Sequence, residues 1–174
     1  MMDEIKNIPL YPHTGAYAQE HGEIKQYWDS MNANVSCAEA IHKAASEHYD
    51  YASYCFDTEA AAKQVFEQCG VDRTLYVLAN TVRENAWDGR ISRDNIEWAK
   101  TYPVVEDTDP FGGRMNTRFL VDAVHPGLVN MLAKEARELA AQERKPSIRA
   151  QLAAAKSEQK ENPAEKSKHR EEAR

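Results

Sequence analysis

Long apolar runs are missing from this chain: in 174 residues no stretch of even fifteen consecutive apolar residues occurs, so no membrane-spanning helix is available. The opening MMDEIKNIPLYPH also lacks the positive charge and apolar core of an export signal and carries Asp3 and Glu4 instead, so a cytoplasmic location is expected. Cysteine is scarce. Cys37, Cys55 and Cys69, spaced 18 and 14 apart, match no zinc or redox pair; they read as free thiols, buried or half-buried as small apolar residues. There is no Gly-rich phosphate loop, HExxH, CxxC pair or nucleophile elbow. Of the six histidines, His13, His21, His42, His48, His125 and His169, the one pair at short spacing, His42 and His48, is six apart and does not share a helix face. These absences lower the case for catalysis without excluding it, and neither a cofactor nor a metal is expected.

What is present is a globular balance, with 42% hydrophobic and 29% charged residues, enough for one domain with a modest core and an appendage. The net charge of −6 is unevenly placed. Residues 1–110 hold 19 Asp or Glu against 9 Lys or Arg, a net −10; residues 111–143 balance at 4 against 4; residues 144–174 hold 5 against 9, a net +4. An acidic body repels phosphates and suits a basic groove on another protein better than nucleic acid, although the same charge also serves plain solubility. The expected organisation is a helical domain over 1–143 and a basic tail over 144–174.

From the N-terminus, Ile5, Ile8, Leu10 and Tyr11 interleave with Pro9 and Pro12, which predicts an extended lead-in held to the body by its apolar side chains. Thr14 is placed to cap a short helix interrupted by Gly22. Ile24, Tyr27, Trp28, Met31, Val35, Ala38, Ile41, Ala45 and His48 recur at three- and four-residue steps and predict the longest helix, the spine, weakened at Asn32 and Asn34. His48, Tyr49, Tyr51, Tyr54 and Phe56 break that period as an aromatic loop, which either folds its rings onto the core or offers a stacking surface. Asp57 then caps a helix ended by Gly70, and Asp72 opens another with Leu75, Leu78, Ala79 and Val82 inside, ending near Asn85. Asp88 and Gly89 make a turn, Ser92 caps a helix with Asp94 in its first turn, and Pro103 stops that helix by Tyr102. Residues 103–124 read as a small two-stranded hairpin with a mobile loop, because Val104-Val105 and Phe119-Leu120-Val121 flank Asp109-Pro110 and Gly112-Gly113. Pro126 starts a last body helix striped by Leu128, Val129, Leu132, Ala133, Ala136, Leu139 and Ala140. Beyond Arg144, Ser147 is expected to cap a short helix through Leu152, with disorder after it. The fold class is mainly α: a compact multi-helix domain with one small β-hairpin and a disordered basic C-terminal tail.

Candidate chemistry concentrates in YVLANTVRENAWDGRISRDNIEWAKTYPV, from Tyr76 to Val104. Arg83, Asp88, Arg90, Ser92, Arg93, Asp94 and Asn95, beside Trp87 and Trp98, offer planar guanidinium forks able to grip a phosphate or a partner's charged loop. The competing reading is structural: a turn at Asp88-Gly89, a cap at Ser92, and Arg-Asp pairs that lock the turn to neighbouring helices. Acid-base work by Glu84 or Asp88 near Asn80 can be drawn, but no residue singles out a substrate. Tyr51 and Tyr54 of the aromatic loop complete the partner-binding candidates.

YPHTGAYAQEHGEIKQYWDS, CAEAIHKA, and YVLANTV followed by WDGRISRDNIEWAKT resemble an uncharacterised domain family, domain of unknown function 3849, found in gut Firmicutes and often encoded on conjugative elements and phages. The resemblance covers about residues 9–140, and KPSIRAQLAAAK resembles linkers that recur in proteins of the same elements. The family has no established catalytic residues to carry over. A further resemblance is to anti-CRISPR proteins that inhibit Cas9, associated with this family. It implies a non-enzymatic protein that binds Cas9 or another host nuclease complex, with a weak nucleic-acid contact through the basic tail and no membrane partner. The alternative is a DNA-binding accessory protein of conjugation or plasmid replication, which would use the tail and the arginine turn.

Overall fold

Six α-helices and one two-stranded hairpin make up the described chain: α1 (Gly15–Glu20), α2 (Ile24–Glu47), β1 (Tyr49–Asp50), β2 (Cys55–Phe56), α3 (Thr58–Cys69), α4 (Val71–Glu84), α5 (Arg93–Thr101) and α6 (Pro126–Glu161), with 3-10 turns at Ile5–Asn7 and Met115–Phe119. The structure is a computed structural model that describes residues 4–122 and 124–161, with side chains through residue 143. The chain divides into two compact units, Met1–Arg137 and Glu138–Arg174, and everything that positions the site lies in the first.

Side-chain caps set three of the helix starts. Thr14, Asp57 and Ser92 accept the backbone N–H groups of Tyr17, Ala60 and Asn95, satisfying donors that the first helical turn leaves free. Gly70, at φ +80°, closes α3 and opens α4 in one residue, a backbone state that a side chain at that position would strain. Asp72, expected to open α4, therefore sits inside its first turn. α2 packs against α1, α3 and α4, and α4 against α5. Met31, Cys37 and Ile41 of α2, Val65 of α3, and Leu75, Leu78 and Val82 of α4 are buried, as are Val129, Leu132, Ala133 and Ala136 of α6.

Several expectations are corrected by the packing. The longest helix is α6, at 36 residues against 24 for α2, and it runs through Ser147 where a separate cap was expected. Ala, Lys, Glu and Gln are good helix formers, so the change in composition at Arg144 does not end it. The helix is described to Glu161, and residues 162–174, the rest of the tail expected to be disordered, lie outside the described residues. The hairpin exists, but at Tyr49–Phe56 rather than within 103–124. There the backbone meets itself in one bridge, Thr108 with Arg114, because side chains take the partner strand's place. Asn116 accepts the Asp107 amide at 2.9 Å and donates to Val105 O at 2.9 Å, while Asn80 donates to Asn116 O at 2.9 Å. Asp107 in turn accepts the Tyr27 hydroxyl at 2.6 Å and the Gly15 amide at 3.0 Å, tying the segment to α1 and α2. Burial and that bond push the Tyr27 phenol up.

The lead-in, whose Ile5, Ile8, Leu10 and Tyr11 are half-buried, is also held by Arg73 of α4, which is buried. Its Nε donates to Asn34 Oδ1, its Nη1 to Ile5 O and Ile8 O, and its Nη2 to Pro9 O and Ser30 Oγ. All five guanidinium donors are used. Asn34, expected only to weaken α2, is one of the acceptors that justify a cation there. Cys37 and Cys69 are buried as expected, and Cys55 is exposed on β2.

Candidate functional site

The turn after α4 is built by its own side chains. The Asp88 carboxylate accepts the Arg90 amide at 2.9 Å and the Arg90 guanidinium at 3.0 and 2.8 Å. The Arg90 side chain and amide hold the Asp88 carboxyl down at about 2. Arg83 donates to Ala99 O, Lys100 O and Tyr102 O, so it caps the end of α5. Asn95 is buried; its Nδ2 donates to the backbone and side chain of Asn130 on α6, and its Oδ1 accepts from Arg137 at 2.7 Å. Ser92, besides capping α5, donates its amide to Asn130 Oδ1 at 2.8 Å. Arg83 and Asn95 thus tie neighbouring helices together, while Asp88 and Arg90 pair within the turn itself. Arg93, Asp94 and Trp87 are exposed, Trp87 to 81%.

Glu84 and Asp88, the acid-base candidates, and the neighbouring Asn80 also carry structural partners. Glu84 pairs with both terminal nitrogens of Arg114, and Asn80 with Asn116.

The aromatic loop behaves differently. In place of rings folded onto the core, Tyr51 and Tyr54 are 72% and 79% exposed. Asp50 shapes the turn: its carboxylate accepts the Ser53 hydroxyl at 2.7 Å and the Ala52 amide at 2.9 Å, contacts that also pull its carboxyl below the usual range. Tyr54 sits at φ +57°, a left-handed state unusual for a bulky residue. The hairpin therefore holds Tyr51 and Tyr54 outward as a wall, with Tyr54 in a sparsely populated backbone state.

That wall faces a groove of about 570 Å³. One side is Tyr49, Tyr51, Tyr54 and Phe56 of the hairpin with His42, Ala45 and Ser46 of α2; the other is Val124, His125, Gly127, Leu128 and Met131 at the start of α6. Tyr49 braces Tyr51 edge-on, with ring centroids 4.8 Å apart. Met131 is 45% exposed, on the flank of the α6 stripe. His125 accepts the Gly127 amide at its Nδ1, 3.0 Å away, and its Nε2 lies 2.7 Å from Arg90 Nη1, a contact that is not a second hydrogen bond to the neutral ring, which accepts at one nitrogen. A Cβ at residue 127 would come within 3.0 Å of that Nδ1, so glycine lets the ring sit against the helix start.

The two stretches singled out in the sequence therefore meet: Arg90 of the turn lies against His125, which lines the groove with Tyr51 and Tyr54. Sequence reasoning missed His42, His125 and Met131 as groove residues. Their signal is weak, since a histidine at a helix start or one methionine beside an apolar stripe reads as ordinary helix. A mostly apolar concavity of this volume with a few polar groups has the character of a recognition site.

Among the described helices none is long and apolar enough to cross a membrane. The model of a family described as a protein of unknown function, DUF3849, matches residues 10–141. No curated protein and no solved structure matches the chain.

Proposed function

This chain belongs to the DUF3849 family of proteins of unknown function, and from that premise we propose that it is a non-enzymatic interaction protein that docks an apolar segment of a partner protein in the groove between the hairpin and α6. The observation that carries this reading is the pair of outward tyrosines on a strained hairpin, aimed into an open apolar groove. Aromatic anchors of this kind concentrate binding energy at protein interfaces. Two of the three arginines in the turn are committed to protein acceptors, which leaves Arg93 for an outside phosphate and favours a protein partner over DNA.

The partner to test first is Cas9 in its guide-RNA complex, with the protein acting in the cytoplasm as an anti-defence factor of a mobile element or phage. The resemblance set out above and the net −10 over residues 1–110, suited to a basic nuclease surface, support that choice. The experiment titrates full-length protein into a plasmid-cleavage reaction with preassembled Cas9 and guide RNA. Inhibition near stoichiometry is expected, and the double variant Tyr51→Ala, Met131→Glu should raise the required concentration about tenfold or more while leaving the melting curve unchanged. No inhibition at large excess removes Cas9 as the partner. Equal inhibition by wild type and variant removes the groove.

A further inference from the structure

Spacing along the chain offers no redox pair among the cysteines, yet the packing of α2 on α3 makes one in space. Contacts at both ends set these helices antiparallel. At the hairpin end His48 Nε2 lies 2.8 Å from Gln64 Oε1, and at the far end Asn34 Oδ1 accepts Arg73 Nε at 3.0 Å. That register puts Cys37, one turn beyond Asn34, opposite Cys69, one turn before Arg73. Their thiols meet as hydrogen-bond partners, and both residues are buried. The same place holds a buried cation: Arg73 is 3% exposed, and its five donors all meet neutral oxygens, none of them a carboxylate. The ionisable groups whose charge reaches it are Cys37, Cys69 and Tyr76. A thiolate at Cys69 therefore gains a hydrogen bond from Cys37 and the Arg73 charge, which hold that thiol below its usual range. The same bond and burial push Cys37 up, so the pair divides into a thiolate former and a partner that keeps its proton.

We propose that Cys37 and Cys69 are a reversible oxidation site, a dithiol that a small peroxide closes to an intrachain disulfide. The Cys69 thiolate attacks one oxygen of hydrogen peroxide and the O–O bond breaks, leaving a sulfenic acid on Cys69 and a hydroxide that takes up a proton to become water. The Cys37 sulfur then attacks the Cys69 sulfur. The S–O bond breaks, and the departing hydroxide leaves as water with the proton that Cys37 gives up. Two thiols are oxidised and one peroxide is reduced to two waters. Burial selects the oxidant, since a bulky disulfide has no approach to either thiol while peroxide is little larger than water. The way in lies under the lead-in: Gly70, beside Cys69, is covered by Lys6, whose Cβ would lie 3.7 Å from a Cβ added at residue 70. Local opening of that terminal segment admits the peroxide.

The test starts from full-length Cys55→Ser, which removes the exposed thiol. The folded protein is treated with hydrogen peroxide, alkylated in denaturant and mapped by mass spectrometry. The expected product has lost two hydrogens, yields a linked peptide pair containing Cys37 and Cys69, and regains both thiols in dithiothreitol. Two further variants assign the order of events. With Cys37→Ser added, Cys69 should stop at the sulfenic acid and be trapped by dimedone; with Cys69→Ser added, Cys37 should react at least about tenfold more slowly. Thermal melts matching the Cys55→Ser parent verify the fold of each variant, and the linked peptide from the parent does not depend on them. A folded parent that keeps both thiols through a peroxide exposure that oxidises the unfolded chain overturns the proposal. Oxidation of the two cysteines singly to sulfinic or sulfonic acid without a linked peptide overturns it as well, as does a Cys37 that reacts as fast as Cys69.

Discussion

Replacing Arg73 by Met keeps most of the side chain's volume and removes every donor that ties residues 5–9 to α2 and α4. Two of the five acceptors, Asn34 Oδ1 and Ser30 Oγ, belong to buried residues and have no easy replacement in water. Ser30 Oγ keeps the Tyr11 amide at 3.0 Å, so Asn34 Oδ1 is the one left unsatisfied, at a cost of roughly 1–3 kcal/mol. The carbonyls of Ile5, Ile8 and Pro9 are nearer the surface, so each lost bond there costs about 0.5–1 kcal/mol once water substitutes. Against this stands relief from burying a guanidinium whose charge faces only neutral acceptors; burial itself pulls the Arg73 pKa down. The balance is a loss of about 3 kcal/mol, which for a domain of this size lowers the melting temperature by roughly 6–12 °C. Urea unfolding followed by far-UV circular dichroism measures it. A change under about 1 kcal/mol would mean that water already serves those acceptors and that Arg73 does not hold the lead-in.

Tyr54→Gly separates strain from recognition: relief at φ +57° should leave stability unchanged or raise it by up to about 1 kcal/mol, while inhibition of Cas9 weakens about tenfold, and a clear loss of stability would show that the ring packs. Asp88→Asn should destabilise the fold near neutral pH. Because the folded carboxyl titrates at about 2 against its ordinary 3.8, that contribution is fully present above about pH 5 and is lost as pH falls through about 2. Wild type and variant should therefore approach each other in acid unfolding curves as pH falls from about 5 to 2, and a gap that does not shrink over that range refutes the pairing. Native protein should expose one reactive thiol, Cys55, to a disulfide reagent and three after unfolding; two or more fast native thiols would contradict the burial of Cys37 and Cys69.

Features written in local chemistry were legible in the sequence. Thr14, Asp57 and Ser92 cap helices through bonds within three residues, and the Asp88-Gly89 turn closes on itself, so neighbours along the chain suffice to read them. What escaped was long-range. The hairpin at 49–56 was hidden because aromatic residues with broken period look alike in a folded-back loop and in two short strands. The expected hairpin at 103–124 fails because Asn80, Asn116 and Asp107, up to 36 residues apart, meet the backbone's needs with side chains. Arg73 gave no sign of burial, since its five acceptors come from two stretches far from it in the chain, residues 5–9 and residues 30–34. The candidate site was half visible: Tyr51 and Tyr54 stood out as aromatics. Their apposition to His125 and Met131 depends on how α6 lies against α2 and the hairpin, which no local pattern encodes.

The measurement that tests the groove as the recognition surface most directly is hydrogen–deuterium exchange of the full-length protein, alone and in the presence of the Cas9–guide RNA complex. The account predicts protection confined to residues 42–56 and 124–131, the two sides of the groove. Protection limited to the Arg83–Asn95 turn, or none at concentrations where cleavage is inhibited, would contradict it.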